Sequence, residues 1–180
     1  MKQQSYLVLW LLGEGMSDIE NYLNALIDVQ HKCHNTNGAP REGWEYLCIE
    51  DFVLREGQPF AAPSSVELPS DVSQGIVKEC FKNCVNSVAM RGTDYLYCEG
   101  YALGIIPMLH AWLVSPDGQV IDPTWRKPGT EYFGVLFNRK FVLEQTLKQE
   151  TYGLLDAYTS GWPLLRGIPK DEWAPALVED

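Results

Sequence analysis

Tyr95-Leu-Tyr-Cys-Glu-Gly-Tyr-Ala-Leu103, Met108-Leu-His-Ala-Trp-Leu-Val-Ser115 and Gln119-Val-Ile-Asp-Pro-Thr-Trp125 decide the fold. In the first run Tyr95, Tyr97, Glu99 and Tyr101 alternate with Leu96, Cys98, Gly100 and Ala102. In the second, Met108, His110, Trp112 and Val114 alternate with Leu109, Ala111 and Leu113. This two-residue period is that of strands, and Pro116-Asp117-Gly118 is a turn signal that brings the third run back along the second. Three consecutive antiparallel strands are predicted.

Working outward, a helix is predicted from about Val72 to Met90. Ile76, Val77, Cys80, Phe81, Cys84, Val85, Val88 and Ala89 form its apolar stripe, and Arg91-Gly92 ends it. Nearer the N-terminus, Ser17-Asp-Ile-Glu20 is a capping box ahead of a helix to about Gln30. Tyr6–Leu12 reads as a buried strand, His31–Gly43 as a loop, and Gln58–Ser70 as an irregular connector. Trp44–Leu54 fits strand or helix equally. Beyond the hairpin, Gly134–Phe137 reads as a short strand, Phe141–Tyr158 as a helix, and the chain from Gly161 as a surface tail. The expected architecture is α+β, a helix packed on an antiparallel meander with flanking helices, in one domain covering 1–180.

The 180 residues are 46% hydrophobic and 21% charged, within the globular range. A formal net charge of −10 disfavours nucleic acid and anionic membranes, and suits solubility or a basic protein partner. The apolar run at the N-terminus lacks a cleavage site, and no stretch is long enough to span a bilayer. Five cysteines, an odd number, in a chain large enough to need no disulfide staples point to a reducing, cytoplasmic setting.

The three histidines narrow the chemistry. His31 and His34 flank Cys33, but no paired cluster completes a zinc site, and Cys48 is the nearest further donor. A solvated loop is expected there, with no metal and no cofactor. His110 lies mid-strand, and Asp122 lies in the returning strand. If Pro116-Asp117-Gly118 is a three-residue loop, Ser115 faces Gln119 and His110 faces Thr124. Asp122 then shares the His110 face on a diagonal of roughly 7 Å. A two-residue turn would send Asp122 to the opposite face.

Cys80 precedes both in chain order. A thiol at a helix N-terminus is acidified by the dipole and by unbonded N–H groups, which also make an oxyanion hole. Gln74 offers a second donor, and Lys78 adds positive charge. The apolar period from Ile76, however, would place Cys80 more than a turn inside the helix. Cys84, one turn later, is the rival nucleophile, and Cys98 is a third.

Cys80 on its helix, Glu99-Gly-Tyr-Ala102, His110-Ala-Trp112 and Asp122-Pro-Thr124 together resemble the transglutaminase-like branch of the papain-like superfamily, over about residues 74–125. Lys78 and Phe81 stand where that branch usually has the Gly and Trp of Gly-x-Cys-Trp. The resemblance implies Cys80 as nucleophile, His110 as base and Asp122 as its orienter. It implies a thiol hydrolase, amidase, deamidase or transferase acting on a peptide, a protein or a small amide. Tyr97, Glu99, Tyr101 and Trp112 are candidate cleft residues. A catalytically inactive acidic binding protein on the same scaffold is the alternative.

Overall fold

Ser17 and Glu20 open the first helix by a reciprocal exchange. The Glu20 carboxylate accepts from the Ser17 N–H at 2.9 Å, and the Ser17 hydroxyl accepts from the Glu20 N–H at 3.2 Å. The structure, a computed structural model, describes residues 15–34, 40–63, 67–90 and 94–176, so the predicted strand Tyr6–Leu12 lies outside the described residues. Its helices are α1 (Asp18–His34), α2 (Ile49–Glu56), α3 (Cys80–Ala89), α4 (Arg139–Gln149) and α5 (Lys170–Trp173). Its strands are β1 (Gln58–Phe60), β2 (Leu96–Leu103), β3 (Pro107–Val114), β4 (Val120–Ile121) and β5 (Glu131–Phe137). The fold is α+β. The second half of the ambiguous run Trp44–Leu54 forms helix α2, and α4 stops at Gln149 because Glu150 turns left-handed, at φ 56°.

All five strands pair antiparallel in the order β1-β5-β2-β3-β4. The predicted meander is the run β2-β3-β4, and β5 and β1 extend the sheet beyond it. β5 returns to the far side of β2, with Gly100 opposite Gly134 there and opposite His110 on the β3 side. Neither glycine has room for a Cβ: on Gly100 it would strike the Phe133–Gly134 backbone, and on Gly134 the Trp112 ring. The close approach of β2 and β5 thus seats Trp112 behind His110.

The β3–β4 loop has the three-residue form. Leu113 faces Ile121 and Val114 faces Val120. The Ser115 N–H donates to the Gln119 carbonyl at 3.0 Å, and Gly118 takes a positive φ of 84°. The predicted third strand is cut to two residues. Pro123 has no N–H to give the ladder, and the Asp122 side chain captures the N–H groups of Thr124 and Trp125 instead.

Alternation splits the core. Tyr97, Tyr101, Ala111, Leu113 and Val135 face the helices with Ile19, Phe52, Cys84, Val85 and Val88. Cys98, Ala102, Trp112, Val114 and Tyr132 form a second cluster on the other face, the one that carries His110. Leu154 and Leu155, in the predicted helix Phe141–Tyr158, are buried in the helical core outside any helix, and the tail expected on the surface from Gly161 is pinned to that core by buried Leu164, Leu165 and Trp173. Their paired leucines carry no helical or strand period, so the sequence pattern did not reveal them.

Candidate active site

Helix α3 starts at Cys80, eight residues later than the predicted start at about Val72. The stripe overran because Ile76 and Val77 continue its period while standing exposed in a turn. Three local features break the helix there. Lys78 adopts the left-handed region at φ 71°. The Glu79 N–H donates to the Ile76 carbonyl. The Asn83 amide side chain closes on Ile76, accepting from its N–H at 3.1 Å and donating to its C=O at 2.8 Å. Cys80 is consequently the first helical residue. Glu79, the residue before it, supplies no side-chain cap, which leaves first-turn N–H groups without an intrahelical partner.

A left-handed lysine costs about 1 kcal/mol or more, a penalty glycine avoids. Lys78→Gly is expected to raise stability by about 1 kcal/mol, read as a higher urea midpoint at unchanged slope.

His110 and Asp122 meet as the loop parity requires. His110 Nε2 lies 2.8 Å from Asp122 Oδ2. The Cys80 thiol lies near the same imidazole and acts on its titration. Cys80, His110 and Asp122 are 7%, 2% and 6% exposed, so the group is almost sealed. Burial by itself would lower the His110 pKa, but the hydrogen bonds and charges of Asp122 and Cys80 outweigh it and lift the value to about 9. The Trp125 ring stacks on the imidazole at 4.2 Å.

Asp122 is held by four donors. Oδ1 accepts from the N–H groups of Thr124 (2.9 Å) and Trp125 (3.0 Å). Oδ2 accepts from the Tyr132 hydroxyl (3.1 Å) as well as meeting His110. Tyr132 in turn accepts from the Gly129 N–H. Sequence reading missed Tyr132; only the long-range pairing of β5 brings it beside Asp122. Asn83 was also missed. It ties the Ile76 turn to the Asp122 loop by donating to Thr124 Oγ1 at 2.9 Å. A polar residue on the apolar stripe, between Cys80 and Cys84, was the available signal.

The remaining predicted site residues lie elsewhere. Gln74 is beside the group, but its amide donates to the carbonyls of Pro123 (2.7 Å) and Thr124 (3.4 Å) and braces that loop. Glu99 is fully buried on the opposite face of β2. Its carboxylate accepts from Leu154 N–H (2.9 Å), Leu155 N–H (3.0 Å) and Tyr97 Oη (2.8 Å). Burial, only partly offset by those bonds, pushes its pKa up to about 7. Tyr101 is buried and donates to Glu50, and Trp112 is buried behind His110. None of these three lines an open cleft. Cys84 and Cys98 are fully buried in the core, and burial raises both thiol pKa values well above the ordinary one. Cys48 is pushed up to about 12 by the same cause. Among the described residues no cluster of three His, Cys, Asp or Glu could hold a metal, and no helix is long and apolar enough to cross a membrane. Comparison of the chain with protein-family models, curated proteins and solved structures yields no match.

Proposed function

We propose that the protein is a thiol-dependent acyl-transfer enzyme acting on an amide or peptide bond, with Cys80 as nucleophile. The observation that carries this reading is the arrangement around His110, with one ring nitrogen 2.8 Å from Asp122 and the thiol of Cys80, the first residue of its helix, beside the same ring. The sulfur adds to the substrate carbonyl, and the thiol proton resides on His110. The oxyanion is met by N–H groups of the first turn of α3. His110 returns the proton to the departing nitrogen as the C–N bond breaks, leaving a thioester. Water, or an acceptor amine, then gives its proton to His110 and attacks the thioester carbonyl, and Cys80 is released. Asp122 orients the imidazole and stabilises its cationic form.

The test is alkylation by iodoacetamide at mildly acidic pH, followed residue by residue. Cys80 is expected to react first, ahead even of exposed Cys33, and His110→Ala should slow it sharply. Cys84→Ser should leave its rate nearly unchanged. Uniformly slow reaction of all buried thiols would favour an inactive acidic binding protein. Fast reaction at Cys84 would move the nucleophile by one turn.

A further inference from the structure

The surface around the Cys80–His110 pair differs from the rest of the molecule in two respects. It is apolar on two sides. Ile76 and Val77, just ahead of Cys80, and Ile105, Ile106 and Met108, at the β2–β3 hairpin, are 43% to 100% exposed. Met108 lies two residues from His110 on the same face of β3. The hairpin tip comes close to Trp125, since a Cβ on Gly104 would lie 3.6 Å from that ring. The surroundings are also locally cationic in a chain of net charge −10. Lys78 is two residues from Cys80, and Arg126 and Lys127 follow Trp125. All three are exposed and enter no ion pair or ring contact among the described residues. The neighbouring acids are engaged: Glu79 with Lys82, Asp122 with His110, and Glu131 with the Ile19 N–H. Glu67, in the small cleft beside Trp125 and Pro128, offsets part of the positive charge.

Reach selects the kind of ligand. At about 3.3 Å per strand residue, Ile106 stands about 13 Å from His110 along β3, the span of about four extended residues. A small amide at Cys80 could not touch the hairpin. We propose that the site takes its acyl donor from an extended polypeptide segment carrying aliphatic and acidic side chains. The aliphatic groups would pack on the exposed isoleucines, and the carboxylates would meet Lys78, Arg126 and Lys127. This inference rests on the acyl-transfer reading of Cys80.

The experiment measures Cys80 alkylation in the presence of a short synthetic peptide carrying isoleucine, valine and glutamate. Two twins serve as controls, one with lysine for glutamate and one with serine for the aliphatic residues. The acidic aliphatic peptide is expected to slow alkylation about ten-fold, and each twin much less. Protection should fall about five-fold in 0.5 M salt and in the Lys78→Glu, Arg126→Glu, Lys127→Glu variant. Without peptide, the rate with anionic iodoacetate relative to neutral iodoacetamide should drop at Cys80 in that variant and hold at Cys33. Ile105→Ser with Ile106→Ser, at freely exposed positions, should weaken protection by the acidic aliphatic peptide. Equal protection by all three peptides, or better protection by the lysine twin, would overturn the proposal. So would alkylation that slows on raising protein concentration alone, since a second copy would then cover the rim. Fast, selective labelling of Cys80 without peptide discrimination would leave the acyl-transfer reading standing and sink only this inference. Slow labelling without any peptide would retire both.

Discussion

Asp122→Asn is expected to slow Cys80 alkylation at pH 7 about a hundred-fold, within the range general acid–base groups contribute. An asparagine cannot serve all the donors that converge on Asp122. Its oxygen can keep the bonds from Thr124 and Trp125, but its amide nitrogen then confronts His110 Nε2 and the Tyr132 hydroxyl. The ring must then leave Nε2 unprotonated and carry its proton on the side of Cys80, where it can no longer receive the thiol proton. The same variant tests the charge coupling. In the native protein the His110 pKa is raised from 6.5 to about 9. Native His110 therefore keeps a proton that the unfolded chain loses. The resulting stability is full below about pH 6.5 and is lost as pH rises through about 9, a decline of about 3 kcal/mol. Urea unfolding at pH 7.5 and 9.5 should show a clear decline in the native protein and a much smaller one in Asp122→Asn, while the fall between pH 6 and 7.5 that Glu99 contributes stays in both. A parallel decline in both would detach the shift from Asp122.

Glu99→Ala should be the most destabilising single change in the sheet, at about 3–5 kcal/mol. It strips the acceptor from two backbone N–H groups and a tyrosine hydroxyl, all buried, and opens a cavity between β2 and the 154–155 segment. Against a total of about 5–15 kcal/mol for a typical domain, that loss brings the protein near unfolding at ordinary temperature. Glu99→Gln keeps one oxygen and most of the volume, so it should cost less. It also removes a titration. With the native pKa raised from 4.5 to about 7, native Glu99 still holds its proton where the unfolded chain has released it. Its contribution is therefore full below about pH 4.5 and is lost as pH rises through about 7. Glu99→Gln should flatten the stability profile over that interval while leaving the decline near pH 9 in place. Full stability in Glu99→Ala would show that the three donors find water.

The parts of the site written in local pattern were legible. The Ser17–Glu20 capping box opened its helix where expected, whereas the shared face of Asp122 and His110 was legible only as a condition, since the sequence allowed a two-residue turn as well as the three-residue loop that forms. The start of α3 was not legible from periodicity. Ile76 and Val77 obey the apolar spacing, and only the Asn83 clasp and the left-handed Lys78 halt the helix. That overrun is why Cys80 looked interior. Glu99 reads as a candidate cleft residue within the Glu99-Gly-Tyr-Ala102 stretch of the resemblance. Its partners, the N–H groups of Leu154 and Leu155, lie more than fifty residues away. Tyr132 escaped for the same reason: β5 joins β2 by long-range pairing, which alternation within either strand cannot announce.

The Glu99 anchor has a consequence for solvent exchange. Leu154 and Leu155 belong to no helix or strand, and amides in such segments ordinarily trade their protons for deuterium early, through local fluctuations. These two are instead bonded to a carboxylate at the centre of the sheet, under buried side chains. They can exchange only when that carboxylate lets go, so their protection should match that of the inner strands β2 and β5. The irregular C-terminal region would then open together with the sheet as one cooperative unit, with Glu99 as the joint between them.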